Sequence, residues 1–206
     1  MKKAFTLLEL VFVIVVIGIL AALILPRTRT NPVQEAAVQV LSHIRYTQHL
    51  ALVDDKYDSN DSTWYKARWQ IFFANDNSGN GNKVYTIFSD TNKGGGADIG
   101  EIAIDPSSQK LLSGDSLYAN HIKRMNLSQK YGISDVNLTG GCNNNVRIFF
   151  DYIGRPFSGS QLTMTGPYNA PTQRLITSDC NITLTDGTES AIIQISPETG
   201  YAKVIF

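Results

Sequence analysis

The chain has 206 residues, 43% hydrophobic and 10% aromatic, with 18 basic and 18 acidic side chains. It is too apolar and too weakly charged to be disordered. Outside Lys2, Lys3 and Glu9 the balance is 16 basic against 17 acidic groups, so no basic field is available for general nucleic-acid binding.

The chain opens Met1-Lys2-Lys3-Ala4 and then runs apolar from Phe5 to Leu25, where Glu9 is the only charge and Thr6 the only other polar side chain. Pro26 ends the run. That length predicts a membrane segment over about residues 5–25. An ordinary secretory signal would want a short apolar core before a small-x-small cleavage site, and the one candidate lies around Ala21-Ala22. A carboxylate near the end of an apolar helix costs about 1 to 3 kcal/mol on insertion, so Glu9 asks for a partner. A cut after Ala4 would supply one. Phe5 would then carry an α-ammonium one helical turn from Glu9, or beside the Glu9 of a staggered neighbour.

Pro26 lacks an amide donor and crowds the preceding turn, so a kink is expected there. Beyond it Val33, Ala37, Val40, Leu41, Ile44, Thr47 and Ala51 recur at helical spacing, which extends the helix to about Val53 with an apolar stripe for the head.

From Trp64 onward the pattern changes to short β-branched and aromatic runs between Gly, Asn and Asp. Strands are expected at 69–73, 84–88, 99–104, 146–152, 174–177, 182–185, 191–195 and 201–206, in an antiparallel, sandwich-like arrangement. Residues 77–82 read as a hairpin loop, 196–200 as a turn, and 120–130 as a short helix. The fold class is therefore α+β, a long helix followed by a β-rich head.

Chemistry is sparse along this chain. His43 and His49 sit six apart on a helix and so on different faces, and with His121 they form no metalloprotease motif. Asp76-Asn77-Ser78-Gly79-Asn80-Gly81 imitates the start of a calcium loop, but the twelfth position is Ile87 where a bidentate Glu is needed. A hairpin loop is the simpler reading. Gly94-Gly95-Gly96 with Gly100 misses the dinucleotide spacing, and Ser158 lacks a nucleophile elbow. No catalytic residue and no cofactor are expected. Trp64, Trp69, Phe149 and Phe150 read as core or sheet residues. Cys142 and Cys180 fit no metal spacing, so a disulfide in an oxidising compartment is expected over a buried thiol pair. Asn60, Asn137 and Asn181 each sit in Asp-x-Asn-x-Ser/Thr, similar to the acceptor sequence of bacterial N-glycosylation, with chance in an Asn-rich chain as the simpler reading.

Lys2-Lys3-Ala4 followed by Phe5-Thr6-Leu7-Leu8-Glu9 resembles the prepilin peptidase site of type IV pilins and type II secretion pseudopilins. The resemblance implies cleavage between Ala4 and Phe5, N-methylation of Phe5, a filament-assembly role for Glu9 and a helix kink at Pro26. Ala4 stands where the family usually has Gly. A second pattern, Val146 to Pro156 with the closing Thr199 to Val204, is similar to the GspH/FimT group of minor pilins and pseudopilins, while residues 54–141 carry no resemblance. Because some pseudopilins bind calcium, Asp76, Asp90 and Asp98 are candidate ligands.

The implied organisation is a leader at 1–4, a pilin helix at 5–55 and a periplasmic head at 56–206 of a single-pass bacterial inner-membrane protein. The implied function is that of a minor pseudopilin of type II secretion, a filament subunit that assists export of folded proteins. Its partners would be other pilins or pseudopilins, the prepilin peptidase and the inner-membrane assembly platform. Two alternatives stand beside it: a minor pilin of a type IV or DNA-uptake pilus, and a membrane-tethered module that never polymerises. The DNA variant wants a clustered basic face, whereas Lys123, Arg124, Lys130, Arg147, Arg155, Arg174 and Lys203 are dispersed in sequence.

Overall fold

A computed structural model of the chain describes residues 6–24, 31–168 and 174–205, and for 22–24 it describes the backbone. Ala4, Phe5 and Pro26 lie outside the described residues. The chain divides into two compact units, Met1–Asn31 and Pro32–Phe206.

In the first unit, helix α1 covers Leu7–Ile24. Its 18 residues rise about 27 Å, against about 30 Å for a bilayer's hydrocarbon layer. Among the described residues no helix is long and apolar enough to cross a membrane. The segment expected at 5–25 ends, on both sides, at residues outside the described set.

The second unit begins with α2, Pro32–Val53. The helix expected from Thr6 to Val53 is thus described in two pieces, and the second belongs to the globular unit. Pro32 stands at the first helical position, where its missing N–H costs nothing and its fixed φ suits the helix. Val33, Ala36, Ala37, Val40, Ile44, Thr47 and Ala51 form its buried stripe. Two antiparallel sheets share that core. The first has the order β2-β1-β4-β5, built from β1 (Trp69–Asn75), β2 (Lys83–Ser89), β4 (Arg147–Phe150) and β5 (Pro156–Ser158). The second runs β3-β6-β7-β8, from β3 (Asp135–Gly140), β6 (Cys180–Thr185), β7 (Ser190–Ile195) and β8 (Ala202–Ile205). Ile71, Phe73, Ile87, Ile148 and Phe150 of the first sheet meet Ile182, Leu184, Ile193 and Ile195 of the second under α2.

The two sheets differ in cover. Along β6 buried and half-buried residues alternate, the signature of one wet face. Sheet one is buried on both faces, because Phe149 and Phe157 on its outer side pack with Tyr65 and Met164 in a second apolar cluster. That cover comes from single-turn 3-10 helices at Trp64–Ala67 and Gln161–Thr163.

Three sequence expectations need correction. Residues 99–104 form no strand: Ile102 and Ile104 make only isolated bridges, while Ile99 and Ile104 are exposed. At 174–177 only Leu175 bridges, to Phe157. The helix expected at 120–130 is a five-residue α3, Leu127–Tyr131, with Asn126 as N-cap and Gly132 left-handed at its end. Strands β3 and β5 were not foreseen. β3 is an edge strand and mostly polar, and β5 has three residues, so neither shows a strand period.

Candidate functional site

Thr6 immediately precedes α1, and its hydroxyl accepts from the backbone N–H of Glu9 at 3.3 Å while Glu9 Oε2 accepts from the backbone N–H of Thr6 at 3.3 Å. This reciprocal pair is a capping box, which satisfies two otherwise orphaned donors at the helix start. The Thr-x-x-Glu spacing that announces it stands in the sequence at Thr6 and Glu9. Glu9 therefore does local work in its own helix besides any work between chains. Leu7, Phe12, Ile14 and Ile17 point around the helix and all are exposed, so no polar face exists. An apolar cylinder of this kind is stable only under cover from lipid or other helices.

In the second unit, the segments around Gly154 and Thr199 to Ala202 converge on α2. Gln48 Nε2 donates to the carbonyls of Gly154 and Thr199, and Arg45 Nη2 donates to the carbonyl of Ala202 at 2.8 Å. The Gly154 turn is held by Asp151, fully buried, which accepts from Ile153 N, Arg155 N and Arg155 Nε. Gly154 and Gly200 have φ of +84° and +63°. A Cβ on Gly200 would lie 2.6 Å from the Gly154 carbonyl oxygen, so the two turns meet this closely only because position 200 is a glycine.

Next to this clamp, the guanidinium of Arg68 is buried and lies 5.2, 5.1 and 5.2 Å from the ring centres of Trp64, Phe157 and Tyr168. Its Nη2 donates to the carbonyl of Pro167, while Nε and Nη1 make no hydrogen bond within the geometric limits among the described residues. The aromatic faces, the Tyr168 hydroxyl and the charge of Asp151 all favour the cation against its desolvation. Gln161 Nε2 donates to the Arg68 carbonyl at 2.9 Å, so one residue fastens the covering segment from both directions.

Higher on α2, Gln39 Nε2 donates to the Arg124 carbonyl and to Tyr85 Oη, and the Tyr131 hydroxyl donates to Gln39 Oε1. With its oxygen already accepting, the Tyr85 hydroxyl donates to His43 Nδ1 at 2.8 Å, which leaves the His43 proton on Nε2. Burial, and then the charge of Arg124, lower the His43 pKa to about 4.

Cys142 and Cys180 are joined in a disulfide, their Cα atoms 4.9 Å apart. Ser158 Oγ donates to the Cys142 carbonyl at 2.7 Å, so the bridge also ties β5 of sheet one to sheet two.

The calcium candidates are not brought together. Asp76 is buried and accepts from Ser78 N, Ser116 N and Ser116 Oγ. Asp90 accepts from Gly95 N, and burial pushes its carboxyl up. Asp98 accepts from Asn92 Nδ2. Among the described residues no group of three or more His, Cys, Asp or Glu could hold a metal ion.

The basic residues are partly regrouped by folding. Lys123 and Arg124, with Lys110, line a surface cavity of about 320 Å³ together with Asp105, Ser107 and Ser108. Arg147 and Arg155 lie elsewhere, over the rings of Phe72 and Tyr168. Compared with known families, curated proteins and solved structures, the chain matches none.

Proposed function

We propose that this chain is a minor pseudopilin of type II secretion, whose α1 anchors it in the inner membrane and then packs into a short periplasmic filament. The observation that carries the reading is the start of the chain: Lys2-Lys3-Ala4-Phe5, then an apolar helix exposed on every side whose one charge, Glu9, stands in its first turn. A buried carboxylate between packed helices needs a cation, and a cut after Ala4 creates one at Phe5 on the same or the neighbouring chain. Membrane anchoring comes first, with Lys2 and Lys3 on the cytoplasmic side, and assembly follows. No bond is made or broken by this chain. Its head contributes shape, held to α2 by Gln48, Arg45 and the Tyr85–His43 network.

Intact-mass measurement of the membrane fraction from a strain with prepilin peptidase tests the processing step. Loss of Met1 to Ala4 with one added methyl group is expected. An N-terminus near Ala22 would instead mean ordinary secretion.

One observation favours the pilus reading, the gathering of Lys110, Lys123 and Arg124 around one cavity. Arg124 is ion-paired to Asp105 at 3.8 Å, so the surplus at this cavity rests on Lys110 and Lys123, a pair that suits a phosphate backbone better than its sequence spacing suggests. Reversing Lys110 and Lys123 to Glu separates the two: DNA uptake would fall while protein secretion would not.

A further inference from the structure

With 13 Asp, 15 Asn and 32 Ser plus Thr in 206 residues, independent placement gives about 0.15 copies of Asp-x-Asn-x-Ser/Thr, and this chain has three. Composition alone does not account for that. The chain has four Asn-x-Ser/Thr sequences, at Asn60, Asn126, Asn137 and Asn181, and all but Asn126 carry Asp two residues before.

Folding separates the four. Asn126 is buried as the N-cap of α3, its Oδ1 accepting from Gln129 N and its Nδ2 donating to Asp76. Asn181 is half-buried on β6, hydrogen-bonded between β3 and β7, and its Oδ1 accepts from Gln194 Nε2 at 3.4 Å. Asn137 is exposed on edge strand β3. Its register places Asn137 opposite Thr183 and Thr139 opposite Asn181, so these two sequences face one another across a single ladder that fixes both backbones. Asn60 lies in a turn, where Asp61 N donates to the Asp58 carbonyl and Asn60 N to Asp58 Oδ1. Asn60 and Ser62 are both exposed, and no sheet holds this backbone.

We propose that Asn60 is an N-glycan acceptor, with Asn137 a lesser one, for a bacterial oligosaccharyltransferase that requires an acidic residue two positions before the asparagine. Asn60 Nδ2 forms a bond to the anomeric carbon of a polyprenyl-diphosphate-linked oligosaccharide. The bond from that carbon to the diphosphate oxygen breaks, and polyprenyl diphosphate leaves with the electron pair. The displaced Nδ2 proton goes to a base of the transferase. Asp58 supplies the negative charge that a cation on the transferase reads, and because no sheet holds the turn, the segment extends into the transferase groove by releasing only local contacts, chiefly the Asp61–Lys93 ion pair. The transfer takes place outside the cytoplasm and so rests on the exported location of the head.

The test expresses the full chain in cells with a bacterial oligosaccharyltransferase and its lipid-linked donor, beside cells with an inactive transferase. Site-resolved mass spectrometry of glycopeptides is the readout. Expected are occupancy at Asn60 above that at Asn137, none at Asn126 or Asn181, none without active transferase, and at least a tenfold loss at Asn60 in Asp58→Ala. Asn60 unmodified while a control acceptor is glycosylated and Cys142–Cys180 is oxidised would overturn the proposal. Equal occupancy with and without Asp58 would overturn the acidic requirement and with it the argument from sequence. Freely alkylatable Cys142 and Cys180 beside an unmodified Asn60 would overturn the exported location, and this proposal with it.

Discussion

Gln48 on α2 donates its side-chain amide to the carbonyl of Gly154 at 2.8 Å, and the same nitrogen reaches the carbonyl of Thr199 at 2.9 Å. One side chain thus closes α2 onto two turns more than 100 residues away in sequence. Gln48→Ala leaves both carbonyls with one donor fewer and is expected to cost about 1 to 2 kcal/mol. Gly200→Ala is expected to cost more, about 1 to 3 kcal/mol from backbone strain before the contact with the Gly154 carbonyl is added. Urea unfolding of the detergent-solubilised full chain checks both. A Gly200→Ala protein as stable as the parent would show that the two turns are not held together as described.

The disulfide links residues 38 apart, and the chain-entropy relation gives a stabilisation of about 4 kcal/mol for a loop of that size. Reductant should lower the urea midpoint of the head and steepen the slope, because the unfolded chain without the bridge is more expanded. A Cys142→Ala, Cys180→Ala double variant should behave like the reduced protein.

His43 makes stability depend on pH in a defined window. Its folded pKa of about 4 lies below the unfolded value near 6.5, so between these values the unfolded chain binds more protons. Stability is then full above about pH 6.5 and falls as pH drops toward 4, by up to roughly 3 kcal/mol, since protonation removes the acceptor that Tyr85 uses. Arg124 opposes the protonated form and Asp105 favours it. His43→Asn retains an acceptor without a titratable ring, and its unfolding midpoint should fall less than the parent's over that window, by the share that His43 contributes.

Arg68 tests whether an aromatic enclosure holds the cover of sheet one. Arg68→Ala removes the cation from among Trp64, Phe157 and Tyr168 and leaves a void, with an expected loss of about 2 kcal/mol or more. Increased proteolysis within 161–168 should accompany it. Arg68→Lys should rescue only in part, because an ammonium cannot lie flat on three rings.

Legibility in the sequence followed the range of the interactions. Strands β1, β2, β6 and β7, whose apolar residues are carried by β-branched and aromatic types, announced themselves by local pattern. The stripe of α2 did so through its period of 3.6, and the turn between β7 and β8 through Pro197 and Gly200. β3 escaped because Asp135, Asn137 and Thr139 face outward on an edge, where pairing to β6 and not composition makes the strand. The clamp at Gln48 and the enclosure of Arg68 had no local sign, since their partners lie about 90 to 150 residues on. Thr6-x-x-Glu9 is a local signal with two uses, a capping box within the helix and a charge near its start. The gathering of Lys110 with Lys123 and Arg124 needed the fold.

The claim that α1 assembles with other chains through Glu9 is tested most directly by Glu9→Gln. Glutamine keeps the capping-box geometry with Thr6, so the helix start survives, while the charge that would meet a neighbouring Phe5 ammonium is lost. Uncompensated burial of that ammonium would cost about 3 to 5 kcal/mol per contact. The measurement is site-specific crosslinking of the full-length variant to the other pilin-like subunits of the same cell, with membrane location and Phe5 processing recorded in parallel. The account predicts a variant that is processed, anchored and folded but no longer crosslinked. Crosslinking at the parental level would contradict the filament role of Glu9 and leave a membrane tether that never polymerises.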